Sequence, residues 1–378
     1  LRHETHGGLA APRFIAIVPL SSRGQPRHHP ISGARRARPD RRRVREVTAS
    51  LTKVPLDPVQ IGALVRAAFG ARARIADCRA AEGGMYNAGY HLRLEGAGPA
   101  HAFLKVAPPD DLPCLTHERG LMRAEISTLQ RVAAAGVGRA PAVLWADLSR
   151  QLVDRDVVVL EHLPGGLLSE AEVAAEDRPA LRRQIGAVAA GVQLVAAPAF
   201  GYPGTPELQA ATWPDAFGHM VDALLDDAAR FGLDPTVEPL RPRFAALLPG
   251  LGGVTRPSLV HYDLWDGNIL VAPGEGGWKL AGIIDWERAF YGDPVAELVS
   301  LSFHTRMSPD PAVLEGWATV AGLDLDLAAR RRLALYRAYL WLIMLVEAGP
   351  RGFLVSQPDE TWPALRRRLE RDLAEAEG

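Results

Sequence analysis

Cysteine, lysine and long apolar runs are all scarce in this 378-residue chain, and each scarcity rules something out. Two cysteines, Cys78 and Cys114, without paired metal-ligand spacing, exclude a disulfide framework and point to a reducing cytoplasm. The apolar run Ala338 to Val346 has nine residues, too few for the roughly 20 that a membrane helix needs. Phe14 to Val18 is shorter still, with neither the charged n-region nor the small-residue cleavage site of a signal peptide. No G-x-x-x-x-G-K-S/T occurs, so a P-loop is excluded. What is present, 48% hydrophobic and 23% charged residues, is ordinary for a globular protein with room for one bilobal fold or two to three domains.

The formal charge of -1 conceals an asymmetry. Residues 1–46 hold eleven Arg against three acids, a net of +8, which leaves -9 for the other 332 residues. An Arg/Pro/Gly/His-rich stretch with little periodicity reads as a disordered basic arm, or as the product of a mis-called start upstream of Val47. No nucleic-acid or membrane role is assigned to it.

Beyond the arm, the pattern divides the chain into a β-rich unit, 47–162, and a helical one, 163–378. Asp57 to Phe69 has helical spacing and stops at Gly70; Ile75–Ala81, Tyr90–Leu94 and Ala102–Val106 read as strands, and Leu121–Ala134 as a helix. Strands follow at Ala142–Ala146 and Val157–Glu161 before Pro164-Gly165-Gly166 breaks the chain. Helices are expected near 179–196, 213–231, 237–248, 294–304, 311–321, 326–348 and 361–376. Short strands at Ile269–Val271 and Lys279–Ile284 flank Gly274-Glu275-Gly276-Gly277, a hairpin signal.

That hairpin connects the residues with the most chemistry. His261-Tyr262-Asp263-Leu264-Trp265-Asp266-Gly267-Asn268 precedes it, and Ile283-Ile284-Asp285 ends it. An Asp, an Asn five positions on and a second Asp seventeen further match what ATP-dependent phosphoryl transfer to a hydroxyl requires. Asp263 is the candidate proton acceptor, and Asn268 and Asp285 offer hard oxygens suited to Mg²⁺. Taken singly, each Asp is a cap or a solvated side chain; the joint spacing carries the reading. His261 is read as a brace of the loop rather than a ligand.

Lys105 gains weight from arithmetic, because only Lys53, Lys105 and Lys279 stand among 43 basic residues. Within the apolar strand Ala102-Phe103-Leu104-Lys105-Val106 it suits the α/β-phosphates of a nucleotide and needs an anionic partner, Glu125 first and Glu118 second. The competing reading is a snorkelling edge-strand lysine. Glu82 to Gly89, with Gly83 and Gly84, permits close backbone approach to phosphates, although a plain turn needs the same residues. The backbone at Glu161-His162-Leu163 is placed to bond an adenine edge. Gly292-Asp293-Pro294 reads as a helix cap, with Glu297 adding first-turn charge.

With these residues in view, roughly 57–376 resembles the aminoglycoside phosphotransferase family, whose fold is similar to that of protein kinases. The resemblance implies an α+β bilobal fold: a small N-lobe with an antiparallel sheet and one helix, and a larger, mainly helical C-lobe. The family's brace His, base Asp and metal-ligand Asn fall on His261, Asp263 and Asn268, its second metal Asp on Asp285, and its strand Lys and helix Glu on Lys105 and Glu125. Tyr262 stands where the family has Gly, and Trp286-Glu287 where kinases have Phe-Gly. Tyr262 and Trp265 are therefore expected to narrow the acceptor side.

The implied activity is an ATP- and Mg²⁺-dependent phosphotransferase acting on a hydroxyl of a small molecule, an aminoglycoside or related antibiotic. A sugar, amino alcohol, nucleoside antibiotic or other metabolite is the alternative acceptor, and a pseudokinase regulator the alternative class. The -9 of the folded part fits a cationic acceptor, contacted from 213–231 and from 347–362 with Glu347, Asp359 and Glu360.

Overall fold

A computed structural model describes residues 51–233, 237–305, 307–351 and 361–378. The basic arm and two of the expected acceptor contacts, Asp359 and Glu360, lie outside the described residues.

The chain opens with helix α1 (Pro58–Phe69), whose N-cap Asp57 accepts from the Val59 and Gln60 amides while Gln60 reaches back to the Asp57 amide. That reciprocal capping satisfies donors the first turn would otherwise leave unpaired. Strands β1 (Arg74–Ala80), β2 (Ala88–Glu95), β3 (His101–Val106), β4 (Val143–Asp147) and β5 (Val157–Glu161) form one antiparallel sheet in the order β1-β2-β3-β5-β4. The β2–β3 turn needs glycine at position 96, where φ is 83° and a Cβ would sit 2.2 Å from the Arg72 carbonyl oxygen.

Period-2 alternation decides which side chains face which way. Ala102, Leu104 and Val106 of β3 join Val157 and Val159 of β5 in a core closed by Ile61, Leu64 and Val65 of α1. The opposite parity, Phe103 and Lys105, faces helix α2 (Leu121–Ala135). Leu129 and Val132 of α2 are buried as the sequence periodicity demands, and so is Glu125 at 1% exposure.

Past β5 comes the short strand β6 (Gly166–Leu167), and then mainly helical structure. Helices α3 (Arg178–Val192), α4 (Trp213–Arg230) and α5 (Arg241–Leu247) precede strand β7 (Ser258–Val260). The hairpin β8 (Ile269–Gly274) and β9 (Gly277–Ile283) and the strand β10 (Phe290–Gly292) follow. The chain ends with α6 (Leu298–Leu301), α7 (Pro311–Ala318), α8 (Leu327–Glu347) and α9 (Thr361–Glu377). Strands β6, β8 and β9 pair as one small sheet, β7 with β10 as another. A large core centred on Trp213, Phe217, Tyr336 and Trp341 joins α4 to α8. The architecture is the expected α+β bilobal one. No described helix is long and apolar enough to cross a membrane.

One local expectation fails, and two short strands went unread. The helix predicted over 294–304 is broken into a 3-10 turn at Pro294–Glu297, α6, and another 3-10 turn at Phe303–Thr305. Asp293 does cap the first piece, accepting from the Val295 amide, but it also accepts from Arg332 and from the Tyr336 hydroxyl, so long-range bonds fix its position. β7 and β10, three residues each, carry too little pattern for sequence reading to detect.

Helices α3 and α7 touch backbone to backbone. A Cβ on Gly186 would lie 2.0 Å from the Val313 carbonyl oxygen, and one on Gly316 1.9 Å from that of Arg183. Gly186→Ala should therefore lower unfolding free energy by about 1–3 kcal/mol from overpacking, despite the ~1 kcal/mol that alanine contributes within a helix. Urea denaturation checks the sign: a stabilised variant would mean the helices separate easily.

Candidate active site

Five elements converge where the lobes meet. Lys105 comes from β3, Glu125 from α2, Asp285 from the end of β9, Glu287 from the 3-10 turn after it, and Asp263 with Asn268 from the loop after β7. The Lys105 ammonium bonds three carboxylates: Glu125 at 2.7 Å, Asp285 at 2.7 Å and Glu287 at 2.8 Å. Its side chain is 9% exposed and that of Glu125 1%, so the snorkelling alternative is excluded. Glu118 is not its partner; Glu118 bonds Arg351 instead.

This cluster holds three acids against one base. Burial would strip the lysine of its proton, but Asp285, Glu125 and Glu287 together hold its pKa well above the ordinary value. Asp285, bonded to it, is held below the usual carboxylate range despite burial. Glu287 yields: desolvation, then repulsion from Asp285, pushes it up to about 8.

The loop from His261 to Asn268 is bonded at nearly every residue. His261 is buried, and desolvation pushes its pKa down to about 4, so the ring is neutral. Nδ1 accepts from the Asp263 amide (3.3 Å), so Nε2 carries the proton and donates to the Ile284 carbonyl at 3.1 Å. Glu297, read from sequence only as first-turn charge, accepts from the His261 and Tyr262 amides at 2.7 and 3.2 Å. Arg182 of α3 grips Asp266 through two bonds of 2.7 Å. Asn268 donates from Nδ2 to the Asp263 carbonyl (2.8 Å), and its own carbonyl accepts from the Ile284 amide (3.0 Å). The last bond ties the Asp263 loop to the residue before Asp285.

Asp285 has φ 65° and ψ 62°, a left-handed conformation that Asp tolerates better than most residues. Tyr262 has φ 62°, which is costly for a bulky residue. Its surroundings compensate: it is 1% exposed, stacks edge-on against Phe290 and donates its hydroxyl to the Tyr336 carbonyl. Tyr262 therefore does not line the acceptor side, contrary to expectation; the hydrophobic core holds it. Trp265 is partly exposed, and its ring lies over Gly267, where a Cβ would come within 2.3 Å.

Gly83 and Gly84 are exposed, Gly84 with φ 77°. Sequence reading missed what holds their segment. Lys53 donates to the carbonyls of Ala81 and Gly83 at 3.1 and 2.8 Å, and Asn87 donates to Glu287 at 2.5 Å. The scarcity of lysine signalled Lys53 as strongly as Lys105, but its partners are backbone atoms about thirty residues away. Glu161 is exposed, its carboxylate accepting from the Ala142 amide, and Leu163 packs on Gly282. Beside them, the rings of His91 and Phe103 (5.0 Å), His91 and His162 (5.5 Å) and His101 and His162 (5.7 Å) form an aromatic edge. A cleft of about 70 Å³ opens along it.

Asp263 is 26% exposed, and desolvation pushes its pKa up to about 7; Arg288 opposes the rise, while Asp285 and Glu347 add to it. His117, Glu118 and Glu347 gather ligating atoms within 4.8 Å of one another. Arg351 bonds both carboxylates, at 2.5 and 2.7 Å, so a guanidinium already fills the place a metal ion would need. A second cleft of about 280 Å³ is lined in part by Tyr86 and Glu118, and by none of the other expected site residues.

Fold and site together define a kinase-like phosphotransferase. The chain belongs to the APH phosphotransferase enzyme family, whose profile matches residues 77–336. It is 26% identical over 293 residues to the "probable ketoamine kinase YniA" of Escherichia coli K12, covering 73% of this chain and 88% of that protein. A fructosamine-3-kinase candidate from Thermobifida fusca superposes with a TM-score of 0.55 at 22% identity, covering 82% of this chain and 98% of that one. The aminoglycoside phosphotransferase APH(4)-Ia, solved with ADP and hygromycin B, gives 0.56 at 17%, covering 84% and 99%.

Desolvation of Asp263 yields a stability prediction. Its carboxyl titrates near 7 when folded and near ~4 when unfolded. The folded state is therefore penalised progressively as pH rises through that window, and fully above it. Asp263→Asn should raise Tm relative to the parent by an amount that grows between pH 4 and about 7 and then levels off. A pH-independent difference in thermal scans would contradict it.

Proposed function

We propose that this protein transfers the γ-phosphoryl group of ATP to a hydroxyl of a small, singly cationic acceptor of the ketoamine type, with Asp263 as proton acceptor. The observation carrying this reading is the convergence of Asp263, Asn268, Asp285 and Lys105 through short bonds from three separate elements.

Each residue has a defined task. Lys105, released from part of its carboxylate shell, meets the nucleotide phosphates, and Glu125 keeps it pointed at them. The base lies along the His91, Phe103 and His162 edge, on the face of β3 that Lys105 shares, beside the backbone of Glu161 to Leu163. The donor set fits Mg²⁺: with Asn268 Nδ2 committed to the Asp263 carbonyl, the amide oxygen turns the other way, and Asp285 adds an anionic oxygen. When bound there, the ion would neutralise charge on the phosphates. Asp263 orients the acceptor hydroxyl and takes its proton late. Its raised pKa places the proton-accepting form near neutral pH.

Charge around Asp263 supports this choice of acceptor. Asp263, Glu347 and Glu118 face Arg288 and Arg351, an excess of one acid. One ammonium balances that excess, as a ketoamine's amine would, and the 26%-identical relatives carry that name. The sequence reading favoured an aminoglycoside; here only the shared fold speaks for it.

Asp263→Ala should lower turnover by about 10²–10⁴-fold with ATP binding largely intact, the usual worth of a positioned proton acceptor. A panel of ketoamines, free sugars and aminoglycosides with coupled ADP detection identifies the acceptor. Ketoamines should lead, and turnover confined to aminoglycosides would overturn that choice.

A further inference from the structure

Arg288 stands beside Asp263 without bonding it. Its Nε is 3.9 Å from the Asp263 carboxylate, beyond hydrogen-bond range, and its Nη2 is bonded to Glu347 at the end of α8. Glu347 is in turn bonded at 2.7 Å by Arg351, one helical turn further on. Arg351 bonds Glu118 at 2.5 Å and lies over the ring of Tyr86 at 5.9 Å. The ladder is buried toward its far end, with side-chain exposures of 20% at Arg288, 10% at Glu347, 4% at Arg351 and 3% at Glu118.

A guanidinium with a free choice between two nearby carboxylates closes onto both, because a forked pair with a carboxylate is among the strongest bonds available to it. Here it is held by one and kept off the other. At 3.9 Å its field still acts on the Asp263 carboxylate, which Asp285 and Glu347 repel. Arg288 thus leaves the oxygens of Asp263 without a hydrogen bond from its guanidinium.

We propose that Glu347 is a positioning residue that holds Arg288 off Asp263, near enough to orient the carboxylate and too far to occupy it. Arg351 and Glu118 fix Glu347 in place, and through Tyr86 the ladder reaches the segment Glu82 to Gly89. The inference rests on the reading of Asp263 as proton acceptor. Loss of the Glu347 charge releases Arg288 to close on Asp263, so removing Arg288 as well should restore what its release took away.

The test is a double-mutant cycle in the full chain, measured as kcat and KM for ATP with the acceptor found by the panel. Glu347→Gln should lower kcat by about 10- to 100-fold, the worth of an unwanted charged hydrogen bond on the reacting carboxylate, with KM for ATP within about threefold of the parent. Arg288→Gln should cost less, and Glu347→Gln with Arg288→Gln should match Arg288→Gln alone, recovering activity relative to Glu347→Gln. A double variant as slow as Glu347→Gln or slower would overturn the proposal, as would a Glu347→Gln enzyme with parental kcat. If Glu347→Gln fails to fold, Glu347→Asp keeps the charge on a shorter arm and should show a smaller loss that Arg288→Gln again relieves. Failure of the underlying reading looks different, because Asp263→Asn would then retain turnover whatever happens at Glu347.

Discussion

One ammonium shared by three carboxylates organises this molecule. Lys105 reaches from the small sheet to Glu125 on the neighbouring helix and to Asp285 and Glu287 of the helical lobe. Removing the lysine from such a buried set leaves its carboxylates uncompensated, a loss on the order of 3–5 kcal/mol. Without nucleotide, the lysine therefore joins the lobes. In the proposed function a nucleotide phosphate takes over part of that shell, so that joining the lobes and binding substrate would use the same group.

The surroundings are built to keep that exchange local. His261, Glu297 and Arg182 hold the loop of Asp263 through bonds to backbone and to Asp266. Tyr262 accepts a left-handed backbone in return for a fully packed ring. Strain at that position, next to the expected proton acceptor, persists because Phe290 and Tyr336 over-determine the side chain. Carboxylates the fold must desolvate, Asp263 and Glu287, sit at raised pKa values, and stability is lower there than an apolar substitute would give.

Much of this was legible in sequence. The bilobal fold, the β8–β9 hairpin and the Lys105–Glu125 pair follow from periodicity, turn glycines and the rarity of lysine. The rest depends on contacts between residues far apart in the chain, which one sequence does not display. Asn87 and Glu287 are 200 positions apart, Arg351 and Glu118 are 233. Tyr262 looked like an acceptor-side residue because it stands beside Asp263 in the loop, where the family has Gly; its ring is instead buried on a positive-φ backbone, and nothing local announced that. The break of the helix expected over 294–304 has a similar origin, since Asp293 and Glu297 are recruited by distant partners.

A crystal structure with a non-hydrolysable ATP analogue and Mg²⁺ would test the account most directly. The account predicts oxygens of Asn268 and Asp285 at about 2.0–2.1 Å from the ion, with the Lys105 ammonium moved from one of its carboxylates to a phosphate oxygen. A nucleotide bound elsewhere, or one bound between the lobes with Lys105 still on all three carboxylates, would contradict it.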